Sequence, residues 1–312
     1  MKTLKIKILL FGVIMVFFYL LAFLLPAPKT NQNSLFGNID KMKLLTNTTT
    51  PKIVLVGGSN VSFGINSERI QAELQKPTIN MGLHASVGLK YMLEQVIPFI
   101  DSNDIVVVCP EFQQYGKGFY GGDELLMMVH DVKAPGSPGI SPGHYWKIIE
   151  NLPYYVGAKY RMSIRNMLNY DDQLKGVYTR SQFNTFGDAV AHLGLPQKNL
   201  SPKPINVMPQ ENIIIEINCY AKKINDKGAH FMFGFPSICE SAYTMSDNLS
   251  AFRQELFAPG LIDFDVISEL EDYVFEDHLF YDTVYHLNRE GREIRTSQLI
   301  EDIKGAIHDD IE

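Results

Sequence analysis

A hydroxyl that follows a buried strand and an imidazole that precedes the last helix are the two side chains whose type and position suit acyl chemistry. Ser59 stands in Gly57-Gly58-Ser59-Asn60, directly after the apolar run Ile53-Val54-Leu55-Val56. His286 stands in Asp282-Thr283-Val284-Tyr285-His286-Leu287-Asn288, ahead of a helical stretch holding Gly291 and Arg292. Nucleophilic acyl transfer needs an imidazole within hydrogen-bond reach of the hydroxyl and a carboxylate that fixes the imidazole's tautomer. Asp282 is the first candidate for that carboxylate, with Asp277 or a backbone carbonyl as alternatives. Glycines before Ser59 let the chain turn sharply and leave nearby amides to face an oxyanion. Each piece also has a plainer reading: Ser59 and His286 as helix caps, Asp282 as a turn residue.

The elements that must carry these groups are legible as alternating strands and helices. Ile53-Val54-Leu55-Val56, Thr78 to Met81, Ile105-Val106-Val107-Val108 and Ala229 to Phe235 read as strands, two of them so β-branched that both faces must be covered. Ser67 to Leu74, Leu89 to Ile100 and Glu211 to Asn225 read as helices between them. Strand, loop and helix in repetition call for right-handed crossovers and a three-layer α/β/α sandwich with a parallel sheet. Ligands of such sheets bind at the carboxyl edge, where Ser59 falls. From about 111 to 209 the alternation lapses into a Pro-, Gly- and Tyr-rich insertion, with amphipathic helices expected over Asp123 to His130, Gly143 to Glu150 and Tyr154 to Asn169.

Serine after the first strand, glycine after the second and an Asp/His pair before the C-terminal helix together resemble the SGNH (GDSL-like) hydrolases. The resemblance covers roughly 51 to 110 and 210 to 307. It implies an SGNH or flavodoxin-like sheet domain with Ser59 as nucleophile, His286 as base and Asp282 as orienting acid. It further implies an oxyanion hole from the amides of Ser59 and Gly82, the latter in Asn80-Met81-Gly82, with Asn60 alongside. The sequence departs from the family in three places: Gly58 replaces the first block's aspartate, three residues separate Asp282 from His286 where the family has two, and Cys109-Pro110-Glu111-Phe112 replaces the third block's asparagine. Glu111, an acceptor, cannot donate to an oxyanion. Within the family the layout is most similar to the membrane-tethered acyltransferases of surface polymers, the DltD-type teichoic-acid D-alanylation and alginate-acetylation proteins. That likeness implies an acylated glycan or cell-envelope polymer as substrate and a membrane-bound partner that delivers the acyl group.

The amino terminus supplies the tether. No charge interrupts the chain from Ile8 to Leu25, about 27 Å of helix at 1.5 Å per residue, and Lys2, Lys5 and Lys7 precede it. Residues 1–28 therefore read as an uncleaved anchor, or alternatively a signal peptide, with the lysines inside and the rest exported. Residues 29–50 read as a polar juxtamembrane linker and 51–312 as the folded domain with its insertion.

In a chain of 312 residues with 46% apolar composition and a net charge of −7, a full core is expected and a phosphate-tracking surface is not, so nucleic acid is excluded as a partner. Cys109, Cys219 and Cys239 fit no zinc spacing, and neither do His130, His144 and His192. Gly57-Gly58 with Gly64 is no dinucleotide fingerprint. No cofactor or metal is expected. Tyr115, Phe119, Tyr120, His144, Tyr145, Trp146, Tyr154 and Tyr155 could form a sugar-stacking platform or simply core. Asp101 and Asp104 read as a solvated strand entry. Two competing functions remain beside a serine-dependent esterase or O-acyltransferase: a catalytically silent SGNH-like glycan-binding or scaffold domain of an envelope assembly complex, and a secreted lipase with a hydrophobic lid.

Overall fold

The computed structural model describes residues 2–26, 33–49, 51–168 and 176–309. Five strands form one parallel sheet in the order β2-β1-β3-β4-β6: β1 Ile53–Gly57, β2 Thr78–Asn80, β3 Ile105–Cys109, β4 His230–Phe233 and β6 Asp265–Val266. A two-residue strand β5, Ile238–Cys239, pairs separately with β7, Val274–Phe275. In chain order the helices are α1 Lys2–Leu24, α2 Asn38–Asn47, α3 Ser59–Gly64, α4 Ser67–Leu74, α5 Leu89–Val96, α6 Leu125–Met127, α7 Tyr145–Met167, α8 Glu211–Asn225, α9 Glu240–Thr244, α10 Leu249–Leu256 and α11 Arg289–Asp309.

Alternation along the strands explains the layering. Val54, Val56, Val106 and Val108 turn to one face with Leu93 of α5 and Ile217 of α8. Ile53, Leu55, Ile105 and Val107 turn to the other, against Ile70 of α4 and Leu299, Ile300 and Ile303 of α11. Helices thus cover both faces, as the unbroken apolar runs require. The chain steps from β1 to one side for β2 and to the other for β3, so the sheet's direction switches between β1 and β3. Crevices form at such a switch point. Gly57 and Cys109 are in register at the carboxyl ends of those two strands.

Four expectations need correction. Residues 33–49 are not a linker: a 3-10 turn Ser34–Gly37 and α2 bury Leu35, Phe36, Met42 and Leu45 in the main core. Their helical spacing is masked in the sequence by Asn38 and Lys41, which are polar yet buried. The helix expected to run to Ile100 ends at Val96 and continues as 3-10 turn over Ile97–Phe99, where Pro98 cannot donate. The helices expected over Gly143 to Glu150 and Tyr154 to Asn169 are one, α7, continuous through Pro153; Asn169 lies outside the described residues. Asp104 is not solvated: it is fully buried, 2.6 Å from the equally buried Lys52 ammonium, and accepts the amides of Lys52 and Asp101. Of the aromatic cluster, Tyr115, Phe119, His144 and Tyr155 are core, whereas Tyr145, Trp146 and Tyr154 are exposed.

Candidate active site

Ser59 opens α3 directly after β1, with Gly58 extended as the preceding cap residue. Its hydroxyl donates to Glu111 Oε1 at 2.9 Å, and the Asn60 amide donates to the same oxygen at 3.1 Å. Gln113 Nε2 donates to Oε2 at 3.3 Å. Glu111 follows β3, so the two strands flanking the switch point supply the hydroxyl and the carboxylate. The glycine at 58 follows from this: a Cβ there would overlap the Glu111 side chain. A carboxylate from position 111 thus occupies the space above Gly58.

His286 Nδ1 lies 2.9 Å from Asp282 Oδ1, and the Tyr178 hydroxyl donates to Asp282 Oδ2 at 2.6 Å while lying 3.3 Å from the same Nδ1. With Nδ1–H directed to Asp282, the unprotonated nitrogen of a neutral ring is Nε2. Asp277 is occupied elsewhere, accepting the amide and hydroxyl of Ser241. Burial works to raise the Asp282 carboxyl's pKa, but His286, Tyr178 and Lys198 outweigh it and hold the group below its ordinary value. The His286 amide donates to Thr283 Oγ1 at 3.2 Å, which fixes the turn between Asp282 and His286.

Phe63 touches the imidazole and shares α3 with Ser59. Its ring stacks on the His286 imidazole at 4.1 Å, and it lies one helical turn from Ser59 on α3, on the same face. Ser59, Phe63, Leu83, His84, Tyr178 and Phe183 line one small crevice of about 30 Å³. The hydrogen bond of the Ser59 hydroxyl runs to Glu111, not to His286.

The expected oxyanion donors are mostly engaged. The Gly82 amide donates to Asn80 Oδ1 at 2.9 Å. The Asn60 amide is on Glu111, and its Nδ2 donates to the Cys109 carbonyl at 3.2 Å. What remains is the Ser59 amide at the head of α3, where a helix's first amides have no acceptor within the helix.

Two of three groups at or beside the crevice, Tyr178 and His84, have no counterpart in the sequence reading, and the third, His192, is weighed there only as a metal ligand. Tyr178 lies in an aperiodic stretch that carries no local signal. His84 is half-exposed and lies 2.5 Å from Glu124. Burial opposes its charge, but Glu124, with Glu111 and Asp123 behind it, pushes its pKa up to about 9. A cationic imidazole therefore stands at the crevice mouth near neutral pH. Its position just after Asn80-Met81-Gly82 was the available signal. A third imidazole, His192, packs on Phe63 with ring centroids 4.8 Å apart, and burial lowers its pKa to about 4.

Lys41, on α2, is buried and donates to the Gly82 carbonyl at 2.6 Å, with the Phe183 ring 4.3 Å away. Burial brings its pKa from 10.5 down to about 7, against the pull of Asp188. The unfolded chain therefore holds a proton between about pH 7 and 10.5 that the folded chain has released, and stability from this group rises with pH across that window. Lys41→Met removes that dependence. Thermal melts of the two proteins should show the wild type gaining on the variant from pH 7 to pH 10; parallel curves would refute the neutral amine.

Among the described residues no group of three or more His, Cys, Asp or Glu side chains could hold a metal ion, and Cys109, Cys219 and Cys239 are free thiols. Neither a protein-family model nor a curated protein matches this sequence.

Proposed function

We propose that the chain is a serine-dependent esterase or O-acyltransferase of the SGNH type, a three-layer sandwich held outside the membrane by α1 and acting on an acylated glycan or cell-envelope polymer. The observation that carries this reading is the Asp282-oriented imidazole of His286, stacked on Phe63 one helical turn from Ser59. Ser59 Oγ attacks the acyl carbonyl while its proton passes to His286 Nε2. The tetrahedral oxygen takes its charge to the Ser59 amide and the positive end of α3. Collapse expels the alcohol, which receives the proton from His286, and leaves the acyl group on Ser59. Water or a sugar hydroxyl, deprotonated by His286, then frees the serine. A membrane-bound partner supplying the acyl donor fits this scheme, since one apolar helix cannot itself carry a donor across.

The resting hydrogen bond to Glu111 fixes the Ser59 hydroxyl at the sheet edge, so attack requires rotation about the serine's χ1 from Glu111 towards His286. Tyr178 acts as a positioning residue on Asp282. Tyr178→Phe should lower ester turnover on the order of tenfold, the equivalent of about 1.5 kcal/mol for a hydrogen bond to a charged group. An unchanged rate would place Tyr178 outside the machinery.

A specific observation favours a second reading, the silent glycan-binding or scaffold domain: the Ser59 hydroxyl and the Gly82 amide are both engaged within the protein. Labelling of the full chain by a fluorophosphonate decides between them. Labelling that disappears in Ser59→Ala supports the enzyme, and a folded protein that takes no label supports the scaffold.

A further inference from the structure

The crevice beside Ser59 is short of oxyanion donors and yet contains a buried donor that has no acceptor. The Gly82 amide is held by Asn80, the Asn60 amide by Glu111 and Asn60 Nδ2 by the Cys109 carbonyl, which leaves the Ser59 amide by itself. Serine acyl transfer ordinarily aims more than one donor at the oxyanion. Ser62 lines the same crevice as Ser59 and is 3% exposed, and among the described residues its hydroxyl has no hydrogen-bond partner.

An unpaired buried hydroxyl destabilises the fold that holds it. A serine within a helix can recover the loss by donating to the carbonyl four residues back. For Ser62 that carbonyl belongs to Gly58, which accepts the amides of Val61 and Ser62, and the Ser62 hydroxyl does not join them. Ser62 follows Ser59 by three positions on α3, so the two are neighbours along the helix surface. Helical side chains lean towards the amino end, and Ser62 Oγ therefore leans over the turn that Ser59 begins. The loop after β2 closes over this point: a Cβ at Gly82 would come within 2.6 Å of the Ser62 amide nitrogen. Glycine at 82 thus permits close approach to Ser62, while its own amide is spent on Asn80. Gln182 also lines the crevice with Oε1 unpaired, but an amide oxygen is an acceptor and does not serve an oxyanion.

We propose that the Ser62 hydroxyl is the second oxyanion donor of the site, a catalytic residue beside Ser59 and His286. As Ser59 Oγ bonds to the acyl carbon, the carbonyl π pair moves onto oxygen, and Ser62 Oγ–H donates to that oxygen together with the Ser59 amide. Ser62 keeps its proton throughout. Collapse returns the pair to the C=O bond, breaks the bond to the alcohol and leaves the Ser62 hydroxyl unpaired again. The hydrogen bond is absent from the resting protein and present at the tetrahedral stage, so its whole effect falls on the barrier. This inference rests on the serine-dependent reading proposed above.

The test compares wild type and Ser62→Ala, both as the full chain, with acetyl p-nitrophenyl ester. Loss of one oxyanion donor should lower kcat about 10²–10³-fold and leave KM within about twofold, because the contact exists only at the transition state. The variant should melt at or above the wild-type temperature, since no hydrogen bond of the resting protein is lost. A methyl trifluoromethyl ketone, whose adduct with Ser59 carries the oxyanion, should bind the variant more weakly by a similar factor. Turnover within about threefold of wild type overturns the proposal and leaves Ser59 and His286 untouched. Unchanged affinity for the ketone overturns it as well. A fall in kcat joined to a lower melting temperature assigns the hydroxyl to the fold and overturns it too. A wild-type protein that neither cleaves the ester nor takes a fluorophosphonate label removes the serine reading and this proposal together.

Discussion

His286→Ala is expected to reduce ester turnover by roughly four to six orders of magnitude, because removing one member of a unit that acts together costs nearly as much as removing all of it. Ser59→Ala should fall to the same floor, and the double variant no further. The informative companion is Glu111→Gln. Glutamine keeps the shape and can still accept the Ser59 hydroxyl, so a positioning role predicts a modest loss. A general base at 111 predicts a loss as deep as that of His286→Ala. Steady-state kinetics with acetyl p-nitrophenyl ester separates the two, and a His286→Ala enzyme retaining wild-type turnover would reject the proposed acid–base pair outright. Preference for long-chain esters would instead favour the lipase.

Asp188→Ala should have the largest effect on stability. Asp188 is fully buried and accepts from the Ser67 amide and hydroxyl, Asn80 Nδ2 and Arg292 Nη2, the last at 2.8 Å. Its removal strands a guanidinium that is itself 5% exposed, and breaking such a buried pair costs about 3–5 kcal/mol. That is a large part of the 5–15 kcal/mol typical of a domain. Chemical denaturation followed by circular dichroism measures it, and a change below about 1 kcal/mol would show that the ion pair is not structural. Because Asp188 belongs to the inserted region and its partners to α4, β2 and α11, the insertion is bolted into the sheet domain through a charged core.

How much of this the sequence disclosed depended on whether a residue's role was local. β1 and β3 were readable because four consecutive apolar, mostly β-branched residues have few other uses. α4 and α8 were readable to the residue because helical periodicity ends at Leu74 and Asn225, just before Gln75 in left-handed conformation and the turn at Gly228. Asp282 and His286 could be paired by proximity along the chain. Glu111 could be named but not placed, since its hold on Ser59 depends on the empty space above Gly58, far away in sequence. α2 was concealed because Asn38 and Lys41 count as polar in any pattern, yet both are buried once Gln95 and the Gly82 carbonyl meet them. Tyr178 has meaning only next to Asp282, and nothing around it marks it.

The burial of α2 also decides where the protein can be cut. A fragment beginning at Pro51, the natural boundary by composition, would lose Leu35, Phe36, Met42 and Leu45 and open the hydrophobic interior to solvent. One beginning at or before Asn33 keeps them. At most 3.6 Å per residue, the stretch from Pro26 to Asn33 extends no more than about 25 Å. If α1 spans a membrane, that length keeps the crevice within reach of the lipid surface.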